Sequence, residues 1–137
     1  MAAFVKYQDF VETLGKGAHN LHTDTLKVML SNTAPNVATH TVRADVTEIA
    51  TANGYTSGGE DTQNTYTESG GTGSCIGVDV VWTASGGSIN TFRYVILYND
   101  THISDALIGY WDYGSSIAPA AGETFTTDFG SSMFTIA

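Results

Sequence analysis

Apolar side chains come in short runs along this chain, and in three of the runs they alternate on both sides of an extended backbone. Residues 75–84 (CIGVDVVWTA), 92–99 (FRYVILYN) and 107–114 (LIGYWDYG) are the clearest. A period of two marks a strand, and apolar residues on both of its faces call for cover on both sides. In the first run Ile76, Val78, Val80 and Trp82 are expected on one face. In the second, Phe92, Tyr94, Ile96 and Tyr98 share a face, with Val95 and Leu97 behind. In the third, Leu107, Trp111 and Tyr113 oppose Ile108 and Tyr110. Residues 25–31 (TLKVMLS) alternate as well, with Leu26, Val28 and Leu30 opposite Lys27 and Met29. Residues 123–129 carry Phe125 and Phe129 in register, and residues 133–137 (MFTIA) supply a last short strand.

Only the beginning of the chain reads as helix. Phe4, Tyr7, Phe10, Val11 and Leu14 fall on one helical face, with Lys6, Gln8, Asp9 and Glu12 around the rest of the wheel. Gly15 and Gly17 then supply a stop. So short a helix is marginal alone and must dock, either on its own body or on a neighbouring subunit. Asn32-Thr33-Ala34-Pro35-Asn36 reads as a turn, with Pro35 fixing its own φ. Residues 41–50 (TVRADVTEIA) suggest a helical turn followed by a short strand that ends at Asn53-Gly54. Residues 57–74 are polar and glycine-rich, with Tyr66 their one anchor, and read as an edge hairpin or protruding loop. Strand-length runs separated by glycine turns, with no crossover helix among the late ones, predict an all-β fold. The expected architecture is one antiparallel β-sandwich, jelly-roll-like, over residues 1–137, preceded by a short N-terminal helix and turn over residues 1–17.

Composition narrows the function. At 137 residues and 14.5 kDa the chain is long enough for a core without disulfide or metal staples. Only 14% of it is charged, against about 25% in ordinary soluble domains. The polar remainder is Thr, Ser, Asn and Gly, a surface that suits packing against other subunits. Fourteen acidic residues stand against five scattered bases, a net charge of −9. No cationic stripe exists to displace counterions from phosphates, so nucleic acid is not an expected partner, and the same acidity disfavours an anionic membrane. Cys75 is the single cysteine and is expected as a small core residue. No secretory signal and no run of bilayer-spanning length is visible, so synthesis in a reducing cytoplasm is expected. Asn99-Asp100-Thr101 matches a glycosylation acceptor only by chance on this reading.

Residue types that could carry chemistry are present without the patterns that chemistry needs. His19 and His22 lie three apart near Asp24, but beyond the glycine stop, and they read as polar loop histidines, as do His40 and His102. Asp100, His102 and Ser104 hold the residue types of a hydrolase triad in what reads as a hairpin turn, and no G-x-S-x-G elbow occurs. Glu60, Asp61 and Glu68 fall in the most flexible stretch, a poor place to fix two carboxyl groups for glycoside cleavage. GGTGSCIG at residues 70–77 has neither Walker-A nor dinucleotide spacing and runs into a strand. Tyr66, Trp82, Tyr110 and Trp111 could stack on sugar rings, although all but Tyr66 lie in regular strands where core packing is the simpler role. No catalytic residue, metal site or cofactor is expected.

A set of motifs resembles small virion proteins of tailed bacteriophages. They are Phe4-x-x-Tyr7-x-x-Phe10-Val11, TDTLKVML at 23–30, TEI at 47–49, NGYTSGG at 53–59 and VWTA at 81–84. RYVILYNDT at 93–101, LIGYWDYG at 107–114 and AGETFT at 121–126 complete the set. Together they cover nearly the whole chain; residues 60–74 depart from the pattern, being polar where an apolar strand would be usual. The resemblance implies a non-enzymatic virion component, a capsid decoration, or cement, protein on the outside of the phage head. Its partners would be copies of itself and the major capsid protein. The alternative is a receptor-binding module of the tail or fibre that touches host-surface glycan through residues 60–74 and nearby aromatics. Phe4, Tyr7, Phe10, Val11, Leu14, Tyr66, Tyr110 and Trp111 are the candidate interface residues.

Overall fold

A computed structural model describes residues 2–137. The chain runs β1 (Phe4–Lys6), α1 (Gln8–Gly15), β2 (Leu26–Ser31), a 3₁₀ turn (Arg43–Asp45), β3 (Glu60–Asp61), β4 (Thr65–Ser69) and β5 (Thr72–Ile76). It continues β6 (Val80–Thr83), β7 (Phe92–Asn99), β8 (Leu107–Ile117), β9 (Thr124–Thr127) and β10 (Phe134–Ile136). The strands pair antiparallel into a five-stranded sheet of order β1-β8-β7-β2-β3, a three-stranded sheet of order β10-β5-β4 and a β6-β9 ribbon. The fold is all-β and sandwich-like, with one short helix.

The large sheet is apolar on both faces, as its sequence requires. Its inner face carries Val28, Leu30, Val95, Leu97, Ile108 and Trp111 against Cys75 and Phe134 of the three-stranded sheet and Val80, Trp82 and Phe125 of the ribbon. Its outer face carries Met29, Ile96, Tyr98 and Leu107. That face is covered from within the chain: Tyr7, just before α1, and Val37 and Val46 of the long β2–β3 connection close over it. The connection is held down by Glu48, which accepts hydrogen bonds from Arg43 Nη2 (2.8 Å), Tyr55 Oη (2.6 Å), Ser57 Oγ (3.1 Å) and the Gly58 backbone N–H (2.6 Å).

Four sequence expectations need correction. Phe4 to Lys6 are strand, not helix, because they pair with Trp111 to Gly109, and only Gln8–Gly15 is helical. The 75–84 run is two strands in different sheets, bent at residues 77–79. The buried set changes parity there, from Gly73 and Cys75 to Val80, Trp82 and Ala84, which leaves Ile76 half-buried and Val78 exposed. Phe92 faces the inner core with Val95 and Leu97, since a register shift separates it from Tyr94. A second shift between Leu97 and Tyr98 puts Leu107 on the outer face while Ile108 and Trp111 point inward. Bulges of this kind turn side chains over without changing the apolar count, so alternation alone does not reveal them.

Other expectations hold. β7 spans Phe92–Asn99 as read, and the polar stretch does contain a hairpin, β4–β5, closed by Gly70 (φ 61°) and Gly71 (φ 87°). Both glycines sit in the left-handed region that a two-residue hairpin turn of this hand demands. Cys75 is fully buried between Phe134 and Tyr66 on the neighbouring strands. Among the described residues, no helix is long and apolar enough to cross a membrane.

Candidate functional site: an apolar groove

Two sheets end at the same corner of the molecule. β1 is the outer strand of the large sheet and β10 the outer strand of the three-stranded one, each paired on a single side. Their junction is aromatic: Phe4 stacks on Phe134 (centroids 4.9 Å apart, 15° between planes) and meets Trp111 edge-on at 5.3 Å. Phe4 lies this low because it crosses β8 at Gly109, where a Cβ would run into its ring. Phe10, on the inner face of α1, meets Phe134 edge-on at 5.7 Å and ties the helix to the same corner.

Between β1, α1 and β10 runs a groove of about 660 Å³ lined by Phe4, Val5, Lys6, Phe10, Val11, Leu14 and residues 134–136. Val11 is 58% exposed and Val5 39%, so apolar surface is left facing solvent along the wall. A second hollow of about 520 Å³ begins where this one ends, sharing Leu14 and Ile136 and continuing past His19 and His22 to Tyr66. An apolar concavity of this size between elements is the usual form of a binding site.

The groove also holds an electrostatic exception. Lys16 is bonded to Glu12, Lys27 to Asp100, Arg43 to Glu48 and Asp105, and Arg93 to Asp112. Lys6 is, among the described residues, the one base without an ion-pair partner, and it lies on the groove wall. A ligand segment that combines apolar side chains with a carboxylate therefore matches both the lining and its charge.

Of the eight residues singled out from sequence, the structure brings Phe4, Phe10, Val11 and Leu14 into the groove and Tyr66 into the hollow beyond it. Tyr7 and Trp111 present no surface. Tyr7 is fully buried against the outer layer because it lies in the extended link before the helix, and Trp111 is 3% exposed beneath Phe4 and Phe129. Tyr110 is half-buried on the opposite face of the sheet, against Tyr7 and Tyr94. The tyrosine of the hairpin is occupied too, since Tyr66 lies across Gly73. Sequence reasoning missed Lys6, Phe134 and Ile136; the apolar alternation in MFTIA carried the signal for the last two, but not which edge they would share.

The remaining candidates lie dispersed through turns and strands. Ser104 donates its backbone N–H to His102 Nδ1 in the β7–β8 turn, and Asp100 faces Lys27. Glu60 and Asp61 lie exposed on β3, while Glu68 accepts the Gly71 N–H of its own hairpin. Asn99 is fully buried, which leaves the Asn-Asp-Thr match inaccessible. His22 is exposed and accepts the Tyr66 N–H. His19, by contrast, is not a surface loop residue: it is 7% exposed and bonded at both ring nitrogens. Compared with known proteins, the chain matches no family model, no curated protein and no solved structure.

Proposed function

We propose that this chain is a non-enzymatic structural protein of a tailed-phage virion, a capsid decoration protein that docks through the groove between β1, α1 and β10. The observation that carries the reading is the groove itself: four of the residues named from sequence as docking candidates converge there with Phe134 and Ile136. The virion-protein motifs quoted above supply the setting, and the low charge density suits a surface packed among other subunits. Burial of Val11, Leu14 and Ile136 under an apolar segment of the capsid protein or of a sister subunit would supply the affinity, and Lys6 would fix the register by pairing with a carboxylate. A protein that binds only the assembled shell stabilises it by its binding free energy, and many weak contacts act together on a lattice.

The test uses particles stripped of the protein and reloaded with wild type or Val11→Asp. Wild type raises the temperature of DNA release. The variant, whose change lies on an exposed position, folds normally but binds at least about tenfold more weakly, a difference of about 1.4 kcal/mol. Equal release temperatures with and without wild-type protein would sink the proposal. A count of a handful of copies per virion, instead of hundreds, would favour the tail-associated, glycan-binding alternative.

A further inference from the structure

Behind the groove wall lies a buried polar knot that the docking reading does not use. The Asn99 amide decides its chemistry. Asn99 Oδ1 accepts the backbone N–H groups of Thr101 (3.0 Å) and His102 (3.2 Å), so the amide nitrogen must point the other way. Its two hydrogens go to Asp24 Oδ2 (2.8 Å) and His19 Nδ1 (3.0 Å). An amide nitrogen only donates, so His19 Nδ1 accepts and carries no proton. The ring is then the neutral tautomer with hydrogen on Nε2, which faces Thr13 Oγ1 at 3.0 Å; that hydroxyl donates in turn to the Asp9 carbonyl at 3.1 Å.

The central bond of this chain, from Asn99 to Nδ1, fails if His19 takes up a proton. The new Nδ1–H would confront the Asn99 N–H, donor against donor. Asn99 has no way to turn, because its oxygen is held by two backbone groups of the β7–β8 turn. His102 of that turn stacks on the His19 ring at 6.3 Å and disfavours a charge on it. Asp24 in the following loop and Asp9 on α1 attract the proton, but burial and His102 outweigh them, and His19 is held below its ordinary value of 6.5. The knot ties α1 to the sheet, since Thr13 belongs to the helix and Asn99 to the end of β7. It also backs the groove: the His19 ring packs edge-on to Phe10 at 5.2 Å, and Phe10 packs on Phe134.

We propose that the docking groove is acid-gated: protonation of His19 unlocks α1 from the sheet and dismantles the groove wall. This rests on the groove being the docking site, but the gate itself is a property of the free chain. The sign follows from linkage. A histidine whose folded form resists protonation contributes stability that is present above the unfolded value near 6.5 and lost as pH falls toward the folded one. In that window the opening equilibrium of the helix rises by up to about tenfold per pH unit.

Amide hydrogen exchange over residues 8–15 and 134–136 of the isolated protein, corrected for the chemistry of exchange, reads the opening directly between pH 7.5 and 5.5. Wild type loses protection on acidification. His19→Asn, which keeps an acceptor for Asn99 but does not titrate, has no such slope. Nitrogen NMR of the wild-type ring at pH 7.5 finds the proton on Nε2. Full protection of wild type at pH 5.5, the same slope in His19→Asn as in wild type, or a proton on Nδ1 would each overturn the gate. Binding of wild type and Val11→Asp to stripped particles at pH 7.5 tests the docking reading separately, since exchange on the free chain needs no partner.

Discussion

At the scale of single residues, this protein uses a few carboxylates and amides to capacity. Glu48 is the clearest. Burial alone would push its carboxyl up, but donors from Arg43, Tyr55 and Gly58 outweigh that and hold it below its ordinary value of 4.5. A depressed carboxyl contributes stability present above the unfolded value and lost as pH falls through the folded one, so this contribution survives to more acidic pH than that of His19. Glu48→Ala strands the Tyr55 hydroxyl hydrogen and the Gly58 N–H beneath the β2–β3 connection. Urea unfolding at pH 7 is expected to show a loss of about 2–4 kcal/mol. A loss under about 0.5 kcal/mol, the size of an ordinary surface change, would mean the connection is held by its apolar contacts instead.

At the scale of elements, the sequence declared which segments are extended and left open which sheet each one joins. FRYVILYN is β7 to the residue, because its apolar run ends in the polar Asn99-Asp100 turn. CIGVDVVWTA could not show its bend: Gly77 lets Met133 pack close, and Asp79 turns to accept the Phe129 N–H, yet the letters go on alternating. Phe4 to Leu14 fit a helical wheel, but pairing with β8 makes their first residues a strand, and periodicity is blind to pairing. The groove was half legible for the same reason. Its helical wall follows from spacing, while its β10 wall depends on two sheet edges meeting. Gly109 is where that meeting is tightest. Gly109→Ala sets a Cβ against the Phe4 ring and within 2.7 Å of the Val5 carbonyl. It should cost about 1–3 kcal/mol in urea unfolding as β1 lifts. An unchanged midpoint would show that Phe4 moves aside freely.

Taken as a whole molecule, the chain covers by itself the second apolar face that its sequence left in need of a partner. Tyr7, Val37 and Val46 shield the outer layer, so association is not required to bury it. Exposed apolar surface is left at isolated positions and along one groove, which confines the proposed contact with other proteins to a corner and leaves the broad sheet faces out of it. Acid should therefore act on the proposed docking groove before it acts on the rest of the fold: His19 yields first, below about pH 6.5, while the Glu48 clamp survives to lower pH.

The lone thiol has a practical outcome. Cys75 is sealed between two strands, and burial pushes it up to about 12. Alkylating reagents act on thiolates they can reach, so the native chain should stay unlabelled at neutral pH and react stoichiometrically in urea. Mass spectrometry after brief iodoacetamide exposure checks this, and prompt native modification would contradict the burial. A dye placed on a cysteine introduced at Val11 would then sit on the groove alone, giving a fluorescent readout of its occupancy with no other cysteine to remove.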